Sequence, residues 1–351
     1  MEFTFTGSPA RIVFGRGAIS QTADALSRLG CERALVLSTE AQAGDACDLA
    51  RSLGKSCLGL YAKAAMHTPV AVTAAAMEVI AEQRVDSVIS FGGGSTTGLG
   101  KAIALRTGLP QIAIPTTYAG SEVTDILGET ENGVKRTQKT PKVVPDVVLY
   151  DPDLTKSLPK AMSVTSGINA LAHAVEALYA RDRNPISTMM AAEGARAMID
   201  ALPRIADDPN DAAGRDKALY GAWLCGAVLG QVGMALHHKL CHTLGGAFDL
   251  PHAETHTVVL PHAAAFNAPA VGDALQPVAE ALGEDIGAGL WRFAEGLGAP
   301  MALKELGMPA GGVGKAVDIA MANPYWNPRP LDGEAIEALI RAAYHGDAPQ
   351  Q

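Results

Sequence analysis

Apolar residues fall into short unbroken runs in the first 150 positions and into helical spacing after that. The runs "RALVLS" (33–38), "LGLYA" (58–62), "SVISF" (87–91), "QIAIPTT" (111–117) and "VVLYDP" (147–152) lack the polar alternation of a half-exposed strand. Runs this short, rich in Val, Ile and Leu, predict strands buried on both faces, as in a parallel sheet. Segments with 3.6-residue periodicity separate several of them, at 21–30, 71–84 and 97–108. That alternation predicts an α/β layer with helices on both faces of the sheet. The opening "MEFTFTGSPARIVFG" also reads as strand-like.

Beyond "YDPDLTKSLP" the strand pattern stops. From Lys160 onward one amphipathic segment follows another, as at 166–180, 186–202 and 285–297, with Gly and Pro marking the breaks. The pattern therefore divides the chain into an α/β domain over 1–155 and an all-helical domain over 156–351. The most apolar stretch, 220–236, is interrupted by glycines and runs into histidines, which predicts a buried core helix rather than a membrane span.

Composition narrows the partners. Hydrophobic residues make up 48% of the chain and charged ones only 19%, enough for two large cores. The net charge of −9, with no long run of Lys or Arg, argues against nucleic acid and anionic membrane as partners. Five scattered cysteines without CxxC spacing, and an N-terminus that lacks the features of a signal peptide, suggest reduced thiols in a cytoplasmic protein.

Three stretches carry candidate chemistry. In "SVISFGGGSTTGLGKAIAL" a strand runs through Gly92, Gly93, Gly94 and Ser95 into a helix, a combination that lets backbone N–H groups approach a phosphate. The spacing is not GxGxxG. After the next strand, "AIPTTYAGSEVT" places Thr116, Thr117, Tyr118 and Ser121 where open α/β sheets bind ligands. The third is histidine-rich: residues 237–256 hold five of the nine histidines, with His238 and His242 four apart and His252 and His256 four apart. Asn169 and His173 show the same spacing on another helix, and Glu176 shares their face. A lone helical histidine is usually a core residue. Two such pairs, with His252 in a loop, suggest side chains converging on one point. The basic stretch 131–142 contains Lys135, Arg136, Lys139 and Lys142, which read mostly as a solvated hairpin, with Arg136 the candidate for a substrate carboxylate.

The order GGGS, PTT-x-x-GSEVT, N-A-x-x-H-A-x-E, H-x-x-x-H-x-L-G-x-x-x-x-x-P-H and a final L-P-H resembles the iron-containing alcohol dehydrogenase family, and within it the maleylacetate reductase branch. The resemblance spans nearly the whole chain. It implies a Rossmann-like dinucleotide-binding domain, an all-helical domain of the dehydroquinate synthase-like kind, an active site in the cleft between them, and a homodimer. It further implies NADH or NADPH as cofactor and reduction of the C=C bond of maleylacetate, a small dicarboxylate, to 3-oxoadipate in aromatic compound breakdown. Cofactor contacts would come from Thr39, Gly93, Gly94, Ser95, Thr116, Thr117, Tyr118 and Ser121. Catalytic roles would fall to Asn169, His173, His238, His242 and His252, and substrate contacts to Arg136 and His256.

Three departures stand out. Metal-dependent members bind Fe(II) or Zn(II) through an Asp and three His; the matching positions are Asn169, His173, His238 and His252, with no anionic ligand, so no metal is expected. Gly98 stands where an Asp usually follows GGGS. Thr39 stands after the first core strand where an acidic residue would repel a 2′-phosphate, which leaves NADPH admissible. The alternatives are a metal-dependent alcohol dehydrogenase of the same fold, a dehydroquinate synthase-like lyase, and a non-catalytic nucleotide binder.

Overall fold

The computed structural model describes residues 2–7, 10–322 and 325–349. The chain forms two compact units, Gly7–Leu158 and Pro159–Gln351 with Met1–Thr6.

The strands of the first unit are β1 (Arg11–Phe14), β2 (Ala34–Leu37), β3 (Cys57–Tyr61), β4 (Ser87–Gly92), β5 (Gln111–Pro115), β6 (Ile126–Glu131), β7 (Val134–Lys139) and β8 (Val147–Tyr150). Six of them make one sheet in the order β1-β8-β5-β4-β2-β3, every pairing parallel. Helices α1 (Thr22–Leu29), α2 (Ala43–Ser52), α3 (Val70–Gln83) and α4 (Gly94–Thr107) carry the returns. Strands β2, β4, β5 and β8 are buried at every residue. Ala34 and Val36 face one core with Ile89, Phe91 and Ile112. Leu35 and Leu37 face the other with Ile80, Val88 and Leu99. Two-sided burial is why these strands read as continuous apolar runs.

The N-terminal run is less regular than its pattern suggests. Only Arg11–Phe14 pairs, and the described residues 2–7 have no regular structure; Met1, Ser8 and Pro9 lie outside the described residues. Strands β6 and β7 form a separate antiparallel hairpin turned by Asn132 (φ 50°) and Gly133 (φ 76°), both left-handed as a two-residue hairpin turn requires.

The second unit is helical: α5 (Lys160–Tyr179), α6 (Pro185–Asp207), α7 (Ala212–Gln231), α8 (Leu236–Phe248), α9 (His252–Val271), α10 (Gln276–Leu282), α11 (Ile286–Gly296), α12 (Gly312–Ala322) and α13 (Gly333–His345). Helix α5 is its axis, buried from Gly167 through Tyr179 and packed on α6, α7 and α9. Gly167 permits that approach, since a Cβ there would lie 2.5 Å from Leu202 Cδ2 of α6. The apolar stretch 220–236 is not one helix. It breaks after Gln231, and α7 and α8 meet at 93°. Among the described residues no single helix is long and apolar enough to cross a membrane.

Candidate active site

In the first unit the chain leaves β2 outward to β3 and returns to β4 on the other side of β2. The carboxyl ends of β2 and β4 thus flank a topological switch point, where open α/β sheets bind their ligands. Thr39 follows β2 and is half-buried. Gly93 caps α4 without any side-chain bond to its first turn, and Gly94, the first helical residue, is exposed. The N-terminal amides of a 14-residue helix are therefore open to an anion. The glycines are spatially required: a Cβ on Gly92 would lie 2.6 Å from Thr96 Oγ1, and one on Gly93 2.9 Å from Thr117 Cγ2. Gln42 Nε2 donates to Thr116 Oγ1 at 2.7 Å and ties the loop after β2 to the loop after β5. Two hydroxyls here, on Thr96 and Ser121, are buried without a partner, as expected of a cradle built for a polar ligand.

Lys101 holds the Ser121 loop. Its Nζ is buried within hydrogen-bond reach of Ser121 O (2.6 Å), Thr124 O (2.7 Å), Thr124 Oγ1 (2.9 Å) and Ile126 O (2.9 Å). Burial lowers this ammonium to about 7 against the pull of Glu122 and Asp125. Gly98 has its own reason. A Cβ there would lie 2.2 Å from Thr68 Oγ1, and Thr68 is held at φ 46°, rare for a β-branched residue.

In the second unit the histidines converge on one carboxylate. Glu176 of α5, fully buried, accepts from the backbone N–H groups of Ala235 (3.0 Å) and His237 (2.8 Å) and from His238 Nδ1 (2.7 Å). Helix α8 has no side-chain cap of its own. Glu176 thus serves as its N-cap from another helix, with its charge at the positive end of the dipole. Burial alone would raise this carboxyl. The hydrogen bond from His238 and the polar surroundings of His237 and the α8 amides outweigh it and bring Glu176 down to about 2.

The remaining contacts assign the tautomers. His238 Nδ1–H donates to Glu176, so in the neutral ring Nε2 is a lone pair, and His173 Nδ1–H donates to it at 2.9 Å. His173 Nε2 is then the acceptor for Asn169 Nδ2–H at 3.4 Å. The Asn169 carbonyl oxygen remains buried without a partner. His256 is buried with its ring centroid 5.0 Å from that of His238. His242 and His252 are exposed, 6.3 Å from His238 and 4.3 Å from His256 respectively. His237, buried, faces His256 with Nε2 and Nδ1 3.0 Å apart. Burial lowers His237 to about 3 and His256 well below the ordinary histidine range, so both are neutral.

Profile comparison matches residues 9–152 to "Iron-containing alcohol dehydrogenase" and residues 163–344 to "Fe-containing alcohol dehydrogenase family, C-terminal". The chain belongs to the iron-containing alcohol dehydrogenase family. Within that family it is 58% identical over 348 residues to a maleylacetate reductase of Rhizobium sp., covering 99% of each chain. It is 54% identical to one from Sphingobium indicum, again over 99% of each. The crystal structure of maleylacetate reductase from Agrobacterium tumefaciens is 57% identical, with a TM-score of 0.97 over 99% of this chain and 100% of that one.

The family's name raises the question of iron, and the side chains at the matching positions do not fit it. No carboxylate stands among Asn169, His173, His238 and His252, and the nearby Glu176 is spent on α8 and His238. Both His238 nitrogens, and both of His173, are engaged in hydrogen bonds with protein groups. Among the described residues, the one set of three or more His, Cys, Asp or Glu donors within 4.8 Å of one another is His237, Cys241 and His256, which lies outside those positions.

Several expected site residues are placed differently. His252 is not in a loop but opens α9 directly after Pro251, whose fixed φ suits the position before a helix. Tyr118 is fully buried, its hydroxyl 3.4 Å from Thr155 Oγ1, so it packs the loop rather than presenting a phenol to a ligand. Arg136 is exposed on β7, opposite Glu129. It reads as part of the solvated hairpin. The sequence reading gave Glu176, His237, Cys241, Lys101 and Thr68 no role. A lysine inside the apolar run "GLGKAIAL" is the clearest overlooked signal, since lysine is almost never fully buried unless paired.

Proposed function

We propose that the protein reduces the C=C bond of maleylacetate to give 3-oxoadipate, using NADH or NADPH. The observation that carries this reading is the buried Glu176–His238–His173–Asn169 chain: imidazoles held by hydrogen bonds at the positions where a metal-dependent relative would need ligands. Near-full-length relatives named maleylacetate reductase, 47% to 58% identical, support it. A metal-dependent alcohol dehydrogenase is the weaker reading, because this donor set lacks the anionic ligand that such an ion favours.

The exposed start of α4, with Gly93, Gly94 and Ser95 and the unpartnered hydroxyls of Thr96 and Ser121, suits the pyrophosphate of a dinucleotide. Once bound, the reduced nicotinamide supplies a hydride. As the alkene carbon β to the ketone is reduced, charge develops on the ketone oxygen, and a neutral N–H donor beside the Glu176–His238–His173–Asn169 chain stabilises it. His242 and His252, on the exposed side of the cluster, are the groups that pair with a substrate carboxylate when protonated and can return a proton to the α carbon. Glu176 fixes which His238 nitrogen carries hydrogen. The same reading includes a homodimer and a cytoplasmic location.

The test is NADH consumption with maleylacetate by protein exhaustively treated with chelator. We expect full turnover, conversion to 3-oxoadipate, and no stoichiometric iron or zinc by elemental analysis. Activity that disappears on chelation and returns with added metal would establish the metal-dependent reading instead.

A further inference from the structure

Two buried rings remain outside that scheme. His237 lies in the first turn of α8 and His256 in α9, with His237 Nε2 and His256 Nδ1 3.0 Å apart. Two neutral imidazoles together hold two N–H groups and two lone pairs, and this contact uses one of each. What is left falls on His237 Nδ1 and His256 Nε2, both buried without a partner.

The shared proton can be placed in two ways. If His256 donates, His237 Nδ1 must carry hydrogen, a buried donor with no acceptor in the first turn of α8. If His237 donates, its Nδ1 keeps a lone pair beside the amide N–H groups of that turn. Either arrangement leaves one buried N–H without a protein acceptor. The second puts it on His256 Nε2 and leaves His237 Nδ1 a lone pair at the start of α8, where the positive end of a helix dipole favours a lone pair over an N–H. Cys241 Sγ, 3.7 Å from His237 Nε2, is a weak second acceptor for the same hydrogen. A metal clip on His237, Cys241 and His256 is the rival. Ligation through the two facing nitrogens would leave both outer nitrogens as buried N–H orphans, one more than the hydrogen-bonded pair leaves.

We propose that His237 is a positioning residue: by donating Nε2–H to His256 Nδ1 it locks His256 in the Nε2–H tautomer, a neutral donor for an oxygen of the enedioate. The site supports this. The His256 ring lies 4.3 Å from that of His252, 5.0 Å from His238 and 6.3 Å from His173, and Nε2 is at the end of the ring remote from His237. This inference rests on the proposed reduction for its substrate, but the tautomer can be read without it.

The experiment compares the full-length protein with His237→Leu and His237→Gln. The glutamine amide can place an N–H near the position of His237 Nε2, and leucine cannot. We expect His237→Leu to lower kcat with maleylacetate by about tenfold or more, the low end for losing an oriented catalytic donor, with NADH Kd within about twofold of wild type. His237→Gln should recover most of that loss. Ring ¹⁵N spectra of histidine-labelled wild type should show His256 protonated at Nε2 and bare at Nδ1, and this signature should be lost in His237→Leu. A glutamine variant as impaired as the leucine variant at equal melting temperature, or a His256 carrying its proton on Nδ1, would overturn the proposal. So would a stoichiometric zinc titration that perturbs the His237 and His256 signals together. If wild type fails to reduce maleylacetate, the functional reading falls, and the ring spectra still decide the tautomer.

Discussion

A single carboxylate carries more structural duty than any other side chain in the cluster. Glu176 terminates the hydrogen-bond chain from Asn169 and caps α8 at the same time. Glu176→Gln keeps one acceptor oxygen but turns the other into an amide donor, and it removes the charge that holds His238 Nδ1–H. We expect kcat/KM for maleylacetate to fall by about a hundredfold, and urea unfolding to show a loss of about 1–3 kcal/mol from the disturbed buried bonds. Wild-type turnover in this variant would mean that His238 is oriented by packing alone. The second residue-scale prediction concerns cofactor choice. Thr39 at the end of β2 carries no charge to repel a 2′-phosphate. The kcat/KM values for NADH and NADPH should lie within about a hundredfold, or roughly 2.7 kcal/mol, and Thr39→Asp should depress the NADPH value selectively. Steady-state kinetics with both cofactors checks this.

At the level of elements, the approach of α4 to the loop before α3 makes an unusual sign prediction. Gly98→Ala would place a Cβ 2.2 Å from Thr68 Oγ1 and should destabilise by about 1–3 kcal/mol through overpacking. In a Thr68→Gly background that clash is gone, and the left-handed φ of residue 68 suits glycine. There Gly98→Ala should be neutral or stabilising, by up to about 1 kcal/mol of helix propensity. Urea midpoints of the four proteins measure the coupling, and simple additivity would remove Thr68 as the cause of Gly98. This pair also marks where pattern reading stops. The central strands were legible because burial on both faces leaves no polar position in "ALVL" or "SVISFG". Helix α2 passed unnoticed because Ala46 and Leu49 are its only buried residues, too few to make a stripe. In the histidine cluster, i,i+4 spacing exposed Asn169–His173 and His238–His242. His237 escaped because it lies about 100° around α8 from His238, and its partner His256 is on another helix. Glu176 was on the right face, but its acceptor role depends on amides 59 to 62 residues away, which no local spacing encodes.

For the whole molecule, the buried histidines set the response to acid. Burial brings His237 to about 3, His262 to about 4 and His256 well below the ordinary value of 6.5. Well above pH 6.5 these rings are neutral in both folded and unfolded chains, and they cost no stability. As pH falls below 6.5 the unfolded chain takes up protons that the folded chain refuses, at about 1.4 kcal/mol per group per pH unit. Glu176, held near 2, adds its own loss only below about 4.5. The urea midpoint should therefore fall steeply from pH 6 to 4.5; a flat profile across that range would contradict burial of these rings. The cap that Glu176 places on α8 also ties catalytic competence to local opening. The amide protons of Ala235 and His237 can exchange with solvent only when their bonds to Glu176 open, and opening them frees His238 as well. The exchange rates of two backbone hydrogens thus become a clock for how often the enzyme is, for a moment, not an enzyme.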